Sequence, residues 1–310
     1  MGDNADLKPL FKWTGGKRRE IKFFSDYYPD FIKKGEKYTY VEPFMGGGAV
    51  FWSLNNLAGH NVVSDFDKDL VNFYRQVREQ DPEFIDSVRS VSDLWKDKNA
   101  DNYEQRSAAY YRFRNLDRNN GLSSISDAQR AARFYIVNQL SFSGMRRFNS
   151  KGEFNVPFGH YKNFNSSIIT SQAHVDLLNR TDIHNRDYKD VVLENDHENT
   201  FIYLDPPYTR VMKKYSHEGE FEEDKQRELA EVLKSLKNAS FMVVIDKSPL
   251  TMELYGDYVE HSYELSYGVN IKNRFSQATE HIVAINYQPS EELREENVSQ
   301  QSQASSLFDI

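Results

Sequence analysis

The stretch TYVEPFMGGGAVFWSLNN, residues 39–56, decides the fold class of this chain. A short apolar strand leads into three consecutive glycines, and a helical pattern of apolar residues follows them. The stretch HNVVSDFDKDLVNFYRQV, residues 60–77, has the same order, with a strand, an acidic segment and then a helix. Successive units of strand, turn and helix predict an α/β fold with a mostly parallel sheet that helices cover on both faces.

Three further segments are predicted to be buried strands, namely TFIYL at 200–204, SFMVVIDKS at 240–248 and EHIVAINYQ at 280–288. A helix is predicted over 223–236, between two of these strands. In such folds, ligands bind beyond the carboxyl ends of the strands. We therefore expect a ligand site at the edge of the sheet where Asp65 and Asp205 lie.

Residues 75–165 interrupt the alternation of strands and helices. They are polar, basic and aromatic, with helical patterns at 102–116 and 127–140, followed by FSGMRRFNSKGEFNVPFG at 142–159. The Ser-Gly, Asn-Ser-Lys-Gly and Pro-Phe-Gly sequences of that last segment predict a hairpin with turns. We expect three units, namely a catalytic domain of residues 1–74 and 166–288, an inserted and mainly helical domain of residues 75–165, and a disordered acidic and polar tail of residues 289–310.

The net charge of −8 argues against a protein that coats nucleic acid without selection. The charge is unevenly distributed, because residues 106–151 contain nine Lys or Arg and two acids. This basic segment could hold a phosphate backbone while the rest of the chain repels it.

The chain contains no cysteine, which excludes disulfides, thiolate metal sites and cysteine nucleophiles. No metal-binding cluster is evident, and His174, His184 and His197 are predicted to be scattered surface residues. The N-terminal sequence lacks the apolar run of a signal peptide, and no stretch approaches the length of a transmembrane helix. We expect a cytoplasmic protein with no membrane partner that is a monomer in solution.

Two features of the strand-turn-helix segments at 39–56 and 60–77 could bind a ligand. The glycines at 46–48 let a ligand approach the backbone where the amides of a helix N-terminus are available, although a tight turn alone would also use glycines. Asp65 ends the next strand, where an acid can accept hydrogen bonds from ribose hydroxyls. The structural alternative for Asp65 is an N-cap for the helix that follows.

The segment FIYLDPPYTR, residues 201–210, carries the strongest chemical signal. The strand must stop at Asp205, because neither Pro206 nor Pro207 can donate a backbone hydrogen bond to a sheet. A conjugated exocyclic amine of a nucleobase is a poor nucleophile, and a carboxylate together with the carbonyl of the adjoining proline can hold its two hydrogens. Tyr208 can stack on the flat base. The alternative is a turn, which would not need these four residue types together after a buried strand.

The segments FKWTGGK (11–17), EPFMGGGAVF (42–51) and LDPPY (204–208) together resemble the DNA adenine-N6 methyltransferases of the Dam type. Their order is that of the alpha group, and the resemblance extends to about residue 288. The segment at 142–159 is similar to the recognition hairpin of phage-type GATC methylases. The resemblance implies a Rossmann-like sheet of an S-adenosylmethionine-dependent methyltransferase, with an inserted target-recognition domain that carries a β-hairpin.

The resemblance also implies roles for individual residues. Asp205 would orient the target amine with Pro206 and Pro207 fixing the geometry, and Tyr208 would stack on the flipped adenine. The residues implied to contact S-adenosylmethionine are Trp13, Lys17, Pro43, Phe44, Gly46, Gly48, Asp65 and Asp205. The residues implied to contact DNA are Phe142, Ser143, Met145, Arg146, Arg147, Asn149 and Pro157.

Within the hairpin, Phe142 and Ser143 would wedge into the duplex beside the flipped base, and Arg147 would read a guanine. Bidentate contact of arginine with guanine O6 and N7 is the commonest specific contact in the major groove, so this role also follows from chemistry. The alternatives are a position in the hairpin core for Phe142 and a phosphate contact or a solvated side chain for one of the two arginines. His160 or Tyr161 stands where related enzymes often carry an arginine, so the resemblance does not imply a phosphate contact there.

The implied function is transfer of a methyl group from S-adenosylmethionine to N6 of an adenine flipped out of double-stranded DNA, within GATC. The alternatives are another short DNA site, an RNA adenine or a protein glutamine as the substrate and, in a different class, an inactive DNA-binding regulator. The basic segment favours duplex DNA, and the complete Asp-Pro-Pro-Tyr sequence favours an enzyme. The C-terminal sequence SSLFDI (305–310) resembles sliding-clamp-binding peptides, although Gln303 lies one residue too far from Leu307 and Phe308.

Overall fold

Seven strands form one sheet in the computed structural model, which describes residues 7–54, 58–96, 102–144, 146–164, 166–207, 223–265 and 279–289. The strands are β1 (Thr39–Glu42), β2 (His60–Ser64), β3 (Thr181–His184), β4 (Thr200–Leu204), β5 (Ser240–Asp246), β6 (Val259–Leu265) and β7 (Thr279–Ile285). The five strands expected from the sequence are therefore present with bounds that differ by a few residues, and β3 and β6 are additional.

The strand order in the sheet is β3-β2-β1-β4-β5-β7-β6. The five strands β3, β2, β1, β4 and β5 run parallel to one another, whereas β7 runs antiparallel to both β5 and β6. The direction of the strand order reverses between β1 and β4, so the carboxyl ends of these two central strands flank a crevice. The topology confirms the expected Rossmann-like α/β fold.

Helices cover both faces of this sheet. The α-helices of the described residues are α1 (Ile21–Phe24), α2 (Asp30–Lys33), α3 (Ala49–Leu54), α4 (Lys68–Glu79), α5 (Pro82–Ser92), α6 (Tyr103–Arg114), α7 (Asp127–Leu140), α8 (Gln172–Asn179), α9 (Tyr188–Glu194), α10 (Glu223–Ser235) and α11 (Pro249–Tyr255). The helices expected at 102–116, 127–140 and 223–236 correspond to α6, α7 and α10 and are confirmed.

The central strand β4 packs against different helices on its two faces. Ile202 lies in an apolar cluster with Val191 of α9 and Leu229 of α10. Phe201 lies in a second cluster with Phe51 of α3. All five residues of β4 are buried, which explains why this strand reads as a continuous apolar run in the sequence. The strand that carries Asp205 at its end is therefore firmly fixed in the core.

The helices α5, α6 and α7 and the segment after them form the region proposed as an inserted domain. This region shares a core with the sheet, because one apolar cluster extends from Phe73 of α4 through Tyr135 of α7 to Phe158. The rings of Phe73 and Tyr135 are stacked with their centres 5.4 Å apart. The proposed boundary at residue 74 therefore lies inside α4 and separates segments that pack together.

The proposed tail lies outside the described residues from residue 290 onward, and so does the clamp-like peptide at 305–310. Within the ranges that the structure describes, no helix has both the length and the apolar character needed to cross a membrane.

The prediction that His174 is a surface residue is wrong. His174 lies in α8 with 5% of its surface exposed, and its Nε2 is 2.9 Å from the carbonyl oxygen of Lys8. Its Nδ1 is 2.9 Å from Ser171 Oγ, so both ring nitrogens have partners. A polar ring can be buried when its hydrogen bonds are satisfied, and burial lowers the pKa of His174. His184 is half-buried, and His197 is exposed.

Candidate active site and recognition hairpin

Three carboxylates lie at the carboxyl ends of neighbouring strands. Glu42 ends β1, Asp65 follows β2, and Asp205 follows β4. Because β1 lies between β2 and β4, the three acids share the crevice at which the strand order reverses. Burial, and then the charges of Asp205 and Asp65, raise the pKa of Glu42 well above its ordinary value. The structure therefore brings three carboxyl groups together where the sequence predicted a ligand.

The glycine turn after β1 is shaped by the indole ring of Trp13. Gly46 and Gly48 have φ angles of +47° and +63°, a backbone conformation that favours glycine. A Cβ atom on Gly46 would lie 2.7 Å from Trp13 Nε1, and one on Gly47 would lie 2.8 Å from Trp13 Cβ. From α4, the Tyr74 hydroxyl donates to the Gly46 carbonyl oxygen at 2.9 Å. The FKWTGGK and EPFMGGG segments therefore pack directly on each other.

Asp65 holds the glycine turn and does not cap the following helix. Its Oδ2 accepts from the Gly46 amide at 2.8 Å, and its Oδ1 accepts from the Asp67 amide at 2.9 Å. The N-cap of α4 is Asp67, whose Oδ1 accepts from the amides of Asp69 and Leu70. The N-cap alternative for Asp65 is therefore wrong. Burial raises the pKa of Asp65 to about 6 although these amides oppose the shift, and each oxygen keeps a second position that can accept from a ligand hydroxyl.

Lys17 and Asp205 form an ion pair in the crevice. The Lys17 Nζ lies 2.6 Å from Asp205 Oδ1, and only 2% of the lysine side chain is exposed. Burial raises the pKa of the Asp205 carboxyl group, and the positive charge of Lys17 opposes this shift. Lys17 therefore favours the ionised form of Asp205 against the effect of burial. The sequence assigned Lys17 to the cofactor, whereas the described contact links its charge to Asp205.

Two buried acids near this pair were not selected from the sequence. Glu42 accepts from the Tyr40 hydroxyl at 2.9 Å. Glu20 accepts from the Tyr263 hydroxyl at 2.8 Å and lies 2.9 Å from His281 Nδ1. Burial acts to raise the pKa of Glu20, but hydrogen bonding to His281 and the nearby Lys17 charge outweigh it, and the pKa is lowered. The signal for Glu42 was present, since it is an acid at the end of a strand, but Glu20 acquires its partners only from β6 and β7.

The turn after β4 is bound to α10 by a hydrogen bond. Pro206 is buried and Pro207 is half-buried. Gln226, which is fully buried, donates from Nε2 to the Pro207 carbonyl oxygen at 2.8 Å. Tyr208 lies outside the described residues. The sequence did not indicate Gln226, because a single glutamine in an amphipathic helix is usually a surface residue.

Aromatic side chains flank the crevice near the glycine turn. Pro43 is buried, and the half-buried ring of Phe44 is stacked on Tyr188 of α9 with the ring centres 5.2 Å apart. Phe66, directly after Asp65, has 64% of its surface exposed. An exposed flat ring beside an acid that suits a ribose can stack on a base. Phe66 was not selected from the sequence, because an apolar residue beside a helix reads as core.

The predicted hairpin is present, but its pairing is irregular. Isolated bridges join Ser141 to Phe158 and Phe148 to Phe154, and no regular strand runs through the described residues of 141–159. The rings of Phe154 and Phe158 are buried, and the centre of the Phe158 ring lies 5.6 Å from that of Tyr110 on α6. The base of the hairpin is therefore anchored on the helical region by aromatic packing.

Four of the residues expected to meet DNA are exposed on this hairpin, including Arg147. Phe142 has 53% of its surface exposed, and Ser143 and Pro157 are also exposed. The Phe142 amide donates to the Pro157 carbonyl oxygen at 2.9 Å, so these residues lie together. The alternative of a hairpin core position for Phe142 is wrong. Met145 lies outside the described residues.

Asn149 makes its hydrogen bonds within the turn of the hairpin. Its Oδ1 accepts from the amides of Lys151 and Glu153 at 2.9 and 3.0 Å, and its Nδ2 donates to Glu153 Oε2 at 2.8 Å. These contacts stabilise the turn, and a DNA contact of Asn149 stays a prediction.

The two consecutive arginines have different surroundings. Arg147 is exposed, and its Nε donates to Asn155 Oδ1 at 2.8 Å within the hairpin. Arg146 is half-buried, with its Nη2 2.7 Å from Asp67 Oδ2 and its guanidinium carbon 5.0 Å from the centre of the Trp13 ring. Arg147 is therefore on the hairpin surface, whereas Arg146 contacts the residues around the glycine turn.

Ion pairs reduce the positive charge that residues 106–151 can offer to DNA. Four of the nine basic residues of this segment form such pairs, namely Arg118 and Arg133 with Asp117, Arg130 with Asp69, and Arg146 with Asp67. Two of these acids come from the start of α4, outside the segment, so a local charge count does not include them. The described surface is therefore less basic than the sequence indicated.

The family model for the D12 class of N6 adenine-specific DNA methyltransferases matches residues 13–271. The matched range includes the glycine turn, the hairpin and the Asp-Pro-Pro-Tyr segment. The chain belongs to this class, whose members methylate adenine in DNA with S-adenosylmethionine as the methyl donor. The expected Dam-type resemblance is confirmed at the level of the family.

Several relatives cover nearly the whole chain. One is the type II methyltransferase M1.LlaDCHI of Lactococcus lactis subsp. cremoris, 32% identical over 297 residues that cover 92% of this chain and 97% of the relative. Another is the type II methyltransferase M.CviBI of Paramecium bursaria Chlorella virus NC1A, 32% identical over 286 residues, with 91% and 100% coverage. The DNA adenine methylase of Escherichia coli strain K12 is 28% identical over 254 residues, with 80% and 84% coverage.

Proposed function

We propose that this protein methylates N6 of an adenine flipped out of duplex DNA, within the sequence GATC. Membership of the D12 class supports the reaction at adenine N6. The observation that carries the assignment of the site is the ion pair of Asp205 with the buried Lys17, at the end of the central strand and in the crevice that holds Glu42 and Asp65. The similarity of the hairpin to that of phage-type GATC methylases supports the target sequence.

Asp205 accepts one hydrogen of the adenine amine in this proposal, which leaves the nitrogen lone pair available for attack. The other hydrogen goes to the carbonyl of the adjoining Pro206, while the Pro207 carbonyl accepts from Gln226. The charge of Lys17 favours the ionised acceptor form of Asp205 against the effect of burial. Catalysis then comes mostly from position and from preorganised acceptors, with no covalent enzyme intermediate. Tyr208 is proposed to stack on the base.

The residues around the glycine turn suit S-adenosylmethionine, which supplies an electrophilic methyl group on a sulfonium when it is bound. Asp65 keeps acceptor positions for ribose hydroxyls, and the exposed Phe66 ring is proposed to pack on the adenine of the cofactor. Trp13 fills the space that a side chain on Gly46 would need. Gly46 and Gly48 are proposed to contact the cofactor through their backbone. Pro43 and Phe44 are proposed to complete the wall of the pocket.

The exposed end of the hairpin is proposed to hold the duplex open. Phe142 would insert beside the flipped base with Ser143, because an exposed ring there can replace lost base stacking. Arg147 would read a guanine in the major groove and would exchange its bond to Asn155 for the base. Met145 and Pro157 are proposed to contact base edges through apolar groups.

The test is methyl incorporation from labelled S-adenosylmethionine into matched substrates. We expect label at adenine N6 in a duplex that contains GATC, and none in a duplex with the same composition but a permuted site. RNA of the same sequence and total protein serve as parallel substrates. Label in protein or RNA with unlabelled DNA would contradict the proposal. Label at another DNA site would contradict only GATC, and cofactor binding without any turnover would identify an inactive regulator.

A further inference from the structure

Arg146 lies where the recognition hairpin meets the glycine turn. Its Nη2 is 2.7 Å from Asp67 Oδ2, and each of the two side chains is 26% exposed. Its guanidinium carbon lies 5.0 Å from the ring centre of Trp13 and 5.3 Å from that of Phe134 on α7. Arg146 therefore uses both its charge and the flat face of its guanidinium group inside the protein, as arginine does at stacked ion pairs.

Both principal partners of Arg146 are connected to the glycine turn, Trp13 directly and Asp67 through Asp65. The Asp67 amide donates to Asp65 Oδ1 at 2.9 Å, and Asp65 Oδ2 accepts from the Gly46 amide at 2.8 Å. Trp13 lies against the same glycine, because a Cβ atom there would be 2.7 Å from the indole nitrogen. One chain of polar contacts and one chain of packed rings therefore connect Arg146 to Gly46.

The Nη2 atom and the ring-facing side of the Arg146 guanidinium group are engaged inside the protein, so reorienting the side chain fully toward DNA would break these contacts. Without Arg146, the half-buried Asp67 carboxylate would lose the positive charge that lies 2.7 Å from its Oδ2. The charge of Arg146 acts on this site, since it lowers the pKa of Asp65 while the charge of Asp67 raises it, after the larger effects of burial and of the two backbone amides. The exposed Arg147, one residue further on, is available for DNA without such a loss.

We propose that Arg146 is a positioning residue for the cofactor pocket, and that it couples the recognition hairpin to that pocket. The inference rests on the proposed function, because it takes the glycine turn as the cofactor site. Arg146 and Arg147 are consecutive, so displacement of the hairpin when Arg147 reads a base also displaces the ion pair with Asp67. Cofactor binding and DNA binding then change each other's affinity by the same factor.

The first test is isothermal titration of the full-length protein with S-adenosylhomocysteine, in the absence of DNA. Arg146→Met keeps an apolar stem over Trp13 and Phe134 but removes the charge, and Arg147→Ala is the matched control in the same hairpin. We expect the Kd to rise about fivefold or more in Arg146→Met and to stay within about twofold of wild type in Arg147→Ala. Equal Kd values for wild type and Arg146→Met would overturn the inference.

Asp67→Asn gives the same test without altering the hairpin. Asparagine keeps the N-cap of α4 but cannot form the ion pair with Arg146. We expect a loss of cofactor affinity similar to that of Arg146→Met, and a double variant no weaker than either single variant, because both changes remove one interaction. Additive losses would show that the two residues act independently and would overturn the inference.

The second test is a titration with a fluorescent GATC duplex at several salt concentrations, with and without S-adenosylhomocysteine. We expect the cofactor to change DNA affinity in wild type and to change it less in Arg146→Met. A uniform loss of DNA affinity on all sequences, with a salt slope smaller by about one and cofactor Kd unchanged, would identify a phosphate contact and overturn the inference.

These tests separate the inference from the proposed function. If wild type binds the cofactor but methylates no adenine, the proposed reaction fails while the coupling is still measured by binding. If wild type methylates adenine and the cofactor Kd is insensitive to Arg146, only the coupling fails. If wild type binds no cofactor, both are overturned.

Discussion

The crevice at the strand ends and the recognition hairpin differ in how their functional side chains are held. In the crevice, Lys17 and Asp205 are paired, and Asp65 accepts two backbone amides. In the hairpin, Phe142 and Arg147 are exposed, and the pairing of the backbone is irregular. A reaction needs fixed positions, whereas reading a duplex needs groups that can exchange their partners for bases.

Arg146 and Arg147 show this difference within two consecutive residues. Arg146 pairs with Asp67 and belongs with the crevice, whereas Arg147 bonds only locally to Asn155 among its described contacts and belongs with the hairpin surface. Their residue type and sequence position are nearly the same. Function is therefore decided by which acid and which rings the fold places beside each guanidinium group.

The largest expected effect is a loss of kcat on substitution of Asp205 in the crevice. Asp205→Ala removes the acceptor for the target amine, so we expect kcat to fall by at least about 10³-fold. DNA affinity, which depends on the hairpin, should change by less than about threefold. Single-turnover methylation and fluorescence anisotropy measure the two quantities. Asp205→Asn is the matched control, since it keeps the size and one acceptor but loses the charge, and normal turnover in Asp205→Ala would mean that the site is misassigned.

The next largest effect is a loss of sequence discrimination on substitution of Arg147 in the exposed hairpin. Arg147→Ala should remove discrimination at one guanine, by about 1–3 kcal/mol or about 5–150-fold in kcat/KM between the cognate and substituted sites. The thermal midpoint should be unchanged, because Arg147 is exposed. Competition between duplexes with single substitutions measures the preference at each position. A loss of the same size on every duplex would mark Arg147 as a phosphate contact.

A smaller loss of kcat is expected on substitution of Gln226, which binds the turn after β4. Gln226→Leu removes a buried hydrogen bond to the Pro207 carbonyl, which is worth about 1–2 kcal/mol, and the position of the turn depends on it. We expect kcat to fall about 5–30-fold with little change in the KM for DNA. Glu231→Gln, on the exposed face of the same helix, is the control and should behave as wild type. Equal kcat values in the two variants would show that the turn is rigid without Gln226.

The smallest effect is a pH dependence of stability at Asp65. Burial raises its pKa to about 6 in the folded protein, above the value of about 4 in an unfolded chain. Between these two pH values the folded state binds more protons at Asp65 than the unfolded state does. The stabilisation that protonated Asp65 gives to the folded state is therefore full below about pH 4 and is lost as the pH rises through about 6. The thermal midpoint of wild type should therefore fall relative to that of Asp65→Asn between pH 5 and pH 7.5, by roughly 2–4 °C.

Differential scanning calorimetry of the two proteins across that range is the measurement for Asp65. Parallel curves would show that the carboxylate carries no cost of burial when it is ionised. Repeating the scans with S-adenosylhomocysteine tests whether a ligand at the glycine turn reduces the cost.

The strands with strong apolar patterns were predictable, and the weak ones were not. The residues of β1, β2, β4, β5 and β7 are mostly buried, so their sequences read as apolar runs. The strand β3 has four residues with one strongly apolar side chain, and β6 is an edge strand with mostly polar residues. The pattern of apolar residues does not reveal strands that are stabilised mainly by hydrogen bonds to the neighbouring strand.

The sequence by itself determined the class of this protein. Its motifs lie at strand ends, where local rules already require glycines in the turn and a stop at the two prolines, and they place Asp65 and Asp205 at one edge of the sheet. Only the tertiary structure decided the partners of the long side chains. Lys17 reaches Asp205 across 188 positions of sequence, and Arg146 reaches an acid at the start of α4. Such pairings depend on distances between elements, which no local pattern contains.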